Sequence, residues 1–198
     1  MQNKIVILNL AIALCVFVCG FYNSYQKQHD NKSVITFVEA MNDKAQSLGM
    51  YDTQFCDPTG LSYCNTGSAN DVITLLEECA KDSNINSVWC KDSSTIQIWD
   101  DDFNTRSVTM YNTFQSDSVK DMQVFGRKTG SDGYIFNLGI VFEKDEDLLY
   151  VAILNCDSEE ERLNALRDLI GLFNVSDRNI ACYEKSGGVQ YRFYLLQS

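Results

Sequence analysis

Two apolar segments on either side of a short charged turn constrain the fold of this chain more than any other feature. The segments run from Tyr134 to Glu143 and from Leu148 to Asn155, and the sequence KDED separates them. Runs rich in Val, Ile, Leu and Phe with so short a connection pair as neighbouring antiparallel strands. We therefore expect a β-hairpin here and a sheet built around it.

More β-rich segments lie before and after this hairpin. STIQIW, SVTMYNTF and the stretch from Gln123 precede it, and CYEKSGGVQYRFYLL lies near the end of the chain. The last of these has Ser186-Gly187-Gly188 at its centre. Two strand-like runs around such a turn predict a terminal hairpin from Ile180 to Leu196.

The first amphipathic helix and the loop after it follow from the spacing of apolar residues. Apolar side chains three and four residues apart predict a helix over residues 34–48, with Ser33 as N-cap and Gly49 as the C-terminal stop. The loop MYDTQFCDPTGLSYCNTG is dense in Asp, Pro, Thr, Gly and Asn, which is typical of turns. We expect an ordered loop with Phe55 and Leu61 as its inward anchors.

Two further helices begin at capping-box-like sequences. Ser68-Ala69-Asn70-Asp71 starts a helix that continues to about Lys81. Ser158, with Glu161 three residues later, starts another, whose apolar stripe extends to Phe173. We expect this last helix to lie across the sheet.

The N-terminal residues have the pattern of an export signal. A basic start precedes an apolar run from Ile5 to Phe21, and a polar segment follows. The run lacks a clean small-x-small cleavage site, so an uncleaved anchor is the alternative. We therefore assign residues 1–22 to a signal peptide or anchor, 23–33 to a polar linker and 34–198 to one domain. The protein is expected to be exported, secreted or held at the cell envelope, and to meet a membrane only through its N-terminal segment.

Cysteine usage leaves two alternatives open. Six of the eight cysteines lie outside the predicted leader: Cys56, Cys64, Cys79, Cys90, Cys156 and Cys182. In an exported chain this even number permits a disulfide framework, with fifteen pairings that the sequence does not rank. The alternative is a set of free thiols in a chain that has its own hydrophobic core.

Charge and histidine content exclude several classes of function. The formal net charge is −11 and the pI is near 4.4, which repels phosphate backbones and argues against nucleic acid as a partner. His29 is the only histidine, and no cysteine pair has zinc-finger spacing. We therefore expect no metal site, no cofactor and no Ser-His-Asp triad.

Residues 37–62, FVEAMNDKAQSLGMYDTQFCDPTGLS, strongly resemble a segment of the serine D-alanyl-D-alanine carboxypeptidases. In that family a helix bearing a Met-Asn pair ends at Leu-Gly-Met and leads into a Thr-x-Phe-x-x-Pro-x-Gly-Leu loop. The matching residues here are Met41-Asn42, Leu48-Gly49-Met50, Thr53, Phe55, Pro58 and Gly60-Leu61.

Two later segments extend the resemblance to about residues 37–172. NTGSANDVITLLEEC looks like the family's Ser-Thr-Ala-x-Asp-Met helix, and GRKTGSDGYIFNLGIVF looks like its Lys-Thr-Gly strand followed by the next strand. The resemblance implies an α+β fold of the β-lactamase/transpeptidase-like class, in which helices pack on an antiparallel sheet.

The resemblance also implies a substrate-binding role for the Lys-Thr-Gly strand. In such enzymes the serine of a Ser-x-x-Lys motif attacks the D-Ala carbonyl of the peptidoglycan stem peptide, and a Ser-x-Asn motif supplies further polar groups. Lys128 would contribute a cation and Thr129 a hydroxyl near the substrate carboxylate. The strand edge, through Gly130, would bind the peptide as an added strand. A plainer alternative has Lys128 and Thr129 as solvent-facing side chains of an ordinary strand.

The catalytic part of the pattern does not fit this chain. The family's nucleophile helix and Ser-x-Asn loop precede the Met-Asn helix by more residues than stand before Val34 here. The formal Ser-x-x-Lys, Ser24 to Lys27, lies in the predicted linker, without a buried helix pattern to hold the two side chains together. The formal Ser-x-Asn, Ser68 to Asn70, falls at a helix start. We therefore assign no catalytic residue and expect a domain truncated at its N-terminal side.

Three functions are compatible with this pattern. The chain is an inactive exported remnant, or a split enzyme whose serine comes from a complementing protein chain recruited by an open sheet edge, or a module that binds stem peptide or a protein without chemistry. Lost N-terminal strands would leave that edge open. We expect the terminal hairpin 180–196 to occupy their place and cover the edge.

Overall fold

A computed structural model describes residues 5–6, 31–99, 104–114, 119, 122–144, 147–175, 182–184 and 190–196, with 5–6, 31–34, 144, 147 and everything beyond 171 described by backbone alone. The helices are α1 (Asn31–Ser47), α2 (Ala69–Lys81), α3 (Ser83–Trp89) and α4 (Glu159–Val175). The strands are β1 (Ile5–Val6), β2 (Thr66–Gly67), β3 (Ser93–Trp99), β4 (Thr105–Tyr111), β5 (Gln123–Ser131), β6 (Phe136–Lys144), β7 (Asp147–Cys156), β8 (Cys182–Glu184) and β9 (Gln190–Leu196).

The main sheet has five antiparallel strands in the order β5-β6-β7-β9-β8. The hairpin predicted around KDED is confirmed as β6 and β7, with Lys144 opposite Asp147 at its turn. The terminal hairpin is confirmed as β8 and β9. It joins the main sheet, because β9 pairs with β7 along seven residues, from Leu148 opposite Leu196 to Leu154 opposite Gln190. The strand β5 therefore forms one edge of the sheet and the terminal hairpin forms the other.

The two faces of the sheet bury separate cores. Side chains of successive strand residues point to opposite faces, so β6 and β7 each contribute to both. The core shared with α4 contains Leu138, Ile140, Phe142, Leu149, Val151, Ile153, Leu166 and Leu169. The core shared with α1, α2 and α3 contains Met41, Ala45, Val72, Ile73, Leu76, Trp89, Val141, Tyr150, Ala152 and Leu154. The α+β class with helices packed on an antiparallel sheet is confirmed, and α4 lies across that sheet as predicted.

The helices differ from the sequence prediction in two places, the start of α1 and the presence of α3. The helix α1 begins at Asn31, two residues before the predicted cap Ser33, so the last residues of the predicted linker 23–33 are helical. It ends before Gly49, whose φ of 81° is the left-handed conformation that glycine adopts without strain. The short helix α3 was not predicted. Asp82 caps it by accepting the N–H groups of Asn84 at 2.8 Å and Ile85 at 3.1 Å.

The predicted leader is described only at Ile5–Val6, which form a short strand antiparallel to Thr66–Gly67. The remainder of residues 1–22 lies outside the described residues, so the signal peptide stays a prediction. Within the described part of the chain, no helix combines the length and the apolar character needed to cross a membrane.

A second, two-stranded sheet is formed by β3 and β4, which pair from Ser93 opposite Tyr111 to Trp99 opposite Thr105. No residue of either strand is buried. The predicted strand SVTMYNTF ends at Tyr111, because the Asn112 N–H bonds to the Asp92 carbonyl at 2.7 Å and the chain turns toward β5.

Candidate peptide-binding site

The Met-Asn pair of α1 holds the following loop through the asparagine. Asn42 Nδ2 donates to the Phe55 carbonyl at 2.8 Å, and Asn42 Oδ1 accepts the Phe55 N–H at 2.8 Å. Met41 is fully buried beside it, and Phe55 is 3% exposed. The prediction that Phe55 anchors the loop is confirmed, and the asparagine side chain takes the place of a strand neighbour.

A second polar side chain organises the tip of this loop. The Asp57 carboxylate accepts the N–H groups of Thr59 at 2.6 Å, Gly60 at 2.7 Å and Ser62 at 2.6 Å. Burial by itself raises the pKa of the Asp57 carboxyl. The hydrogen bonds from the three N–H groups and from the Thr59 hydroxyl together lower it by more, so the pKa is below its ordinary value. The prediction that Leu61 points inward is wrong: the chain curls around Asp57, and Leu61 is 64% exposed.

The Ser-Ala-Asn-Asp segment fastens the start of α2 to the same loop. Ser68 is the N-cap, and its Oγ accepts the Asp71 N–H at 3.2 Å. The Asp71 carboxylate accepts from the Thr53 hydroxyl at 2.7 Å and from the Asp52 N–H at 3.0 Å. Ser68 is therefore a helix cap, as the sequence position predicted, and the residues of this segment brace the loop.

The strand β5 is fixed to the rest of the molecule by its first half. Gly126 lies against the Trp89 ring, and a Cβ atom there would come within 2.0 Å of Trp89 Cε2. Arg127, fully buried, donates through Nε to the Phe114 carbonyl at 2.6 Å and through Nη1 to the Cys90 carbonyl at 3.0 Å, and it pairs with Asp92. These contacts hold the edge strand in place immediately before the Lys-Thr-Gly sequence.

Lys128 is a half-buried cation on this edge strand. Its Nζ donates to the Thr129 carbonyl, and no carboxylate among the described residues forms an ion pair with it. Burial lowers the pKa of Lys128, and the positive charge of Arg162 lowers it further. Lys128 lies opposite Gly139 in the ladder, on the sheet face that carries Val141 and the helices α1 to α3.

Thr129 and Gly130 are both buried. The Thr129 hydroxyl forms a hydrogen bond with the Thr113 hydroxyl from the loop after β4, and Gly130 lies opposite Asn137. The alternative in which Lys128 and Thr129 face solvent is therefore wrong: the loop 112–114 covers Thr129, and Lys128 is half-buried.

The arrangement of these groups suits the binding of an anion. A lysine that has lost part of its hydration and has no paired carboxylate binds a carboxylate more strongly than an exposed lysine does. The next residue along the strand, Thr129, lies opposite Leu138 on the other face of the sheet, where its hydroxyl bonds to that of Thr113. Within the described residues, no group of three or more His, Cys, Asp or Glu side chains is placed to hold a metal ion.

The contacts that hold β5 in place were not predicted from the sequence. Arg127, Trp89 and Thr113 were not singled out, because each acts through residues far away in the chain. The one local signal was Gly126 before Arg127, since an isolated glycine in a strand often marks a close approach of another group.

Comparison with known proteins places this chain in a family. The family model described as D-alanyl-D-alanine carboxypeptidase matches residues 28–134, more than half of the 198 residues. The chain belongs to the D-alanyl-D-alanine carboxypeptidase family. The match includes α1, the Asp57 loop, α2 and the Lys-Thr-Gly sequence of β5.

Curated relatives are similar over parts of the chain. The D-alanyl-D-alanine endopeptidase of Escherichia coli (strain K12) is 55% identical over 40 residues, which is 20% of this chain and 13% of that protein. The D-alanyl-D-alanine endopeptidase of Haemophilus influenzae is 28% identical over 150 residues, which is 76% of this chain and 44% of that protein. The chain therefore matches less than half the length of each of these relatives.

Solved structures confirm the fold. The Streptomyces K15 DD-transpeptidase superimposes with a TM-score of 0.67 at 16% identity, covering 86% of this chain and 80% of that one. The D-alanyl-D-alanine carboxypeptidase DacD from Francisella tularensis superimposes with a TM-score of 0.58 at 15% identity, covering 81% of this chain and 55% of that one. The β-lactamase/transpeptidase-like architecture expected from the resemblance is thus the architecture of this chain.

Proposed function

We propose that this family member binds the carboxylate-terminated stem peptide of peptidoglycan at β5, outside the cytoplasm, and that the chain by itself does not carry out the serine chemistry. Lys128 neutralises the terminal carboxylate, Thr129 helps to fix the strand through its bond to Thr113, and the backbone near Gly130 pairs with the peptide as an added strand. The two endopeptidases named above are D-alanyl-D-alanine enzymes, which supports the same class of ligand for this chain.

The observation that carries this proposal is the half-buried charge of Lys128, which has no ion-pair partner among the described residues. A cation that keeps only a carbonyl as partner in the described structure is poorly compensated for its lost hydration. A ligand carboxylate restores the compensation. The position of β5 at the sheet edge, with β6 on one side only, supports binding of an extended peptide alongside it.

The second half of the proposal rests on the candidate serines. Ser68 already serves as the cap of α2, and the Ser24 to Lys27 sequence lies outside the described residues. Lys128, the lysine of the Lys-Thr-Gly sequence, donates to the Thr129 carbonyl. We therefore propose recognition without cleavage as the function of this chain alone.

Two measurements on the purified chain test the proposal. Titration with a peptide ending in D-Ala-D-Ala should give saturable binding, and the same peptide with an amidated C-terminus should bind at least tenfold more weakly. Equal binding of both peptides, or no binding of either at millimolar concentration, would contradict the carboxylate site. Incubation with a fluorescent penicillin should leave the chain unlabelled, whereas stoichiometric labelling of any serine would refute the absence of serine chemistry.

A complementing chain is the second candidate, and the β3–β4 hairpin favours it. A two-stranded hairpin with no buried residue is marginally stable in water, and this one exposes Ile96, Trp99, Met110 and Tyr111. A partner that covers these side chains and supplies the serine would complete an enzyme. Co-expression with the product of the neighbouring gene should then yield a stable complex with carboxypeptidase activity. Two separately eluting, inactive chains would remove this candidate.

A further inference from the structure

Two cysteines of the Asp57 loop, Cys56 and Cys64, lie close together in space. Gln54 and Thr66 form an antiparallel pair, with the Gln54 N–H donating to the Thr66 carbonyl at 2.8 Å and the Thr66 N–H donating to the Gln54 carbonyl at 2.9 Å. Cys56 lies two residues after Gln54, and Cys64 lies two residues before Thr66. This isolated bridge brings the two arms of the loop together, with Cys56 on one arm and Cys64 on the other.

A side-chain contact also joins Cys56 to Cys64. Cys56 Sγ donates to the Cys64 carbonyl at 3.3 Å, and both residues are exposed. The backbone on both arms is fixed, because Asn65 Oδ1 accepts the Cys56 N–H at 2.7 Å and Asn65 itself is fully buried. The two sulfur atoms are therefore held near each other by contacts that do not involve the sulfurs.

Three other described cysteines, Cys79, Cys90 and Cys156, lie elsewhere in the fold. Cys79 is buried in the core shared with α1 and α2, and Cys156 is buried in the core shared with α4, so the sheet separates them. Cys90 is exposed at the end of α3, where its Sγ donates to the Asn86 carbonyl at 3.1 Å. Of the pairings that the sequence left open, the described structure favours Cys56 with Cys64.

We propose that Cys56 and Cys64 form an intramolecular disulfide when the chain meets a disulfide oxidant such as oxidised glutathione. One cysteine thiolate attacks a glutathione sulfur, forming a mixed disulfide and releasing one glutathione thiolate, which takes up the proton that the cysteine lost. The second cysteine thiolate then attacks the protein sulfur of the mixed disulfide and displaces the second glutathione. Two cysteine thiols are oxidised, and one glutathione disulfide is reduced to two glutathione thiols.

The cross-link would fix the loop beside the end of β5. Tyr63 lies between the two cysteines in the sequence, and the nearby Asp132 raises the pKa of the Tyr63 hydroxyl. Asp132 belongs to the turn after β5, where its Oδ1 accepts the N–H groups of Tyr134 and Ile135 at 2.8 Å each. The disulfide would thus restrain the loop that carries Tyr63 near the turn after the Lys-Thr-Gly sequence, whether or not a peptide binds there.

Mass spectrometry of the oxidised full chain tests the proposal. The purified protein is equilibrated in a mixture of reduced and oxidised glutathione at alkaline pH, because burial and the neighbouring Cys64 raise the pKa of the Cys56 thiol. Free thiols are then alkylated, and the chain is cut before aspartate residues, which separates Cys56 from Cys64 at Asp57. Peptides 52–56 and 57–70 should remain joined and be two hydrogen atoms lighter than their sum. The oxidised chain should also melt roughly 5 °C above the reduced chain.

Single-residue variants complete the test. Cys56→Ser and Cys64→Ser should each lose the joined peptides, and the remaining cysteine of the pair should carry glutathione instead. Cys90→Ser, which removes another exposed thiol, should keep the cross-link. Alkylated Cys56 and Cys64 in the wild-type chain, glutathione on both, or a link from either one to Cys90 or Cys182 would overturn the proposal.

Discussion

Asn42 and Phe55 are joined by two hydrogen bonds of 2.8 Å that run in opposite directions between one side chain and one backbone. This relationship explains why a Met-Asn pair on a helix accompanies a Phe-containing loop thirteen residues later. The helix supplies the buried methionine and the amide, and the loop supplies the strand-like backbone that the amide satisfies. The residues that carry the family likeness are thus chiefly structural braces of one loop.

Loss of this brace should destabilise the whole domain. Asn42→Ala leaves the Phe55 N–H and carbonyl without these partners, and we expect the free energy of unfolding to fall by about 1–3 kcal/mol. Asp43→Ala, on the exposed side of α1, is the matched control and should change it by less than about 0.5 kcal/mol. Urea denaturation followed by circular dichroism measures both. Equal stabilities of the two variants would contradict the bracing role.

Asp57 should make the stability of the domain depend on pH in the acidic range. Its pKa is lowered in the folded chain, so the stability it contributes is fully present above its unfolded pKa, about 3.9, and is lost as the pH falls through the lower folded value. Asp57→Asn should therefore be less stable at pH 7 and lose less stability than the wild type between pH 5 and pH 2. Asp168→Asn, on the exposed side of α4, is the control. Urea denaturation at several pH values across this range measures the free energy of unfolding. If Asp57→Asn loses as much stability in acid as the wild type, the stabilising role of the Asp57 carboxylate is wrong.

Gly126 should tolerate no side chain. The Trp89 ring occupies the place of a Cβ atom, so Gly126→Ala must displace either the ring or β5 and should cost about 1–3 kcal/mol. Gly171→Ala is the matched control, since no atom lies within 4 Å of its Cβ position and it is in a helix, where alanine stabilises by up to about 1 kcal/mol. The melting temperatures of the two variants, compared with that of the wild type, measure these changes in stability. A Gly126→Ala variant as stable as the wild type would show that Trp89 does not pack there as described.

Much of the fold was accessible from local patterns. The hairpin β6–β7 followed from two apolar runs around KDED, and the caps Ser68 and Ser158 followed from short motifs whose hydrogen bonds the structure contains. That the terminal hairpin covers a sheet edge was expected because an alternating apolar strand needs a surface to cover, whereas its pairing with β7 was not predicted.

The contacts that position the candidate site could not be predicted from local sequence patterns. Arg127 reaches Cys90 and Phe114, which lie 37 and 13 residues away in the chain, and a lone arginine in a strand carries no sign of such partners. The helix α3 is only seven residues long and buries just Ile85 and Trp89, too few for a periodic pattern. Leu61 was misplaced because hydrogen bonds to Asp57, not side-chain hydrophobicity, set the course of the loop.

Peptide binding should weaken at alkaline pH. The pKa of Lys128 is lowered below its ordinary value, so this lysine loses its charge earlier than exposed lysines as the pH rises. Affinity for a carboxylate-terminated peptide should stay level at neutral pH and fall as the pH rises through the lowered pKa of Lys128. Titrations with the free-acid peptide between pH 7 and pH 10 measure this. Constant affinity over that range would contradict a role for the Lys128 charge.

The affinity of the D-Ala-D-Ala peptide for Lys128→Ala, compared with Lys91→Ala, tests the central claim most directly. Lys91 is exposed before β3, so its loss removes the same charge from the protein without touching the site. Calorimetric titration should show at least a tenfold higher Kd for Lys128→Ala, since a hydrogen bond between charged groups contributes about 1.5–3 kcal/mol, and an unchanged Kd for Lys91→Ala. Equal Kd values for wild type, Lys128→Ala and Lys91→Ala would show that the Lys-Thr-Gly strand of this chain is not a carboxylate-binding site.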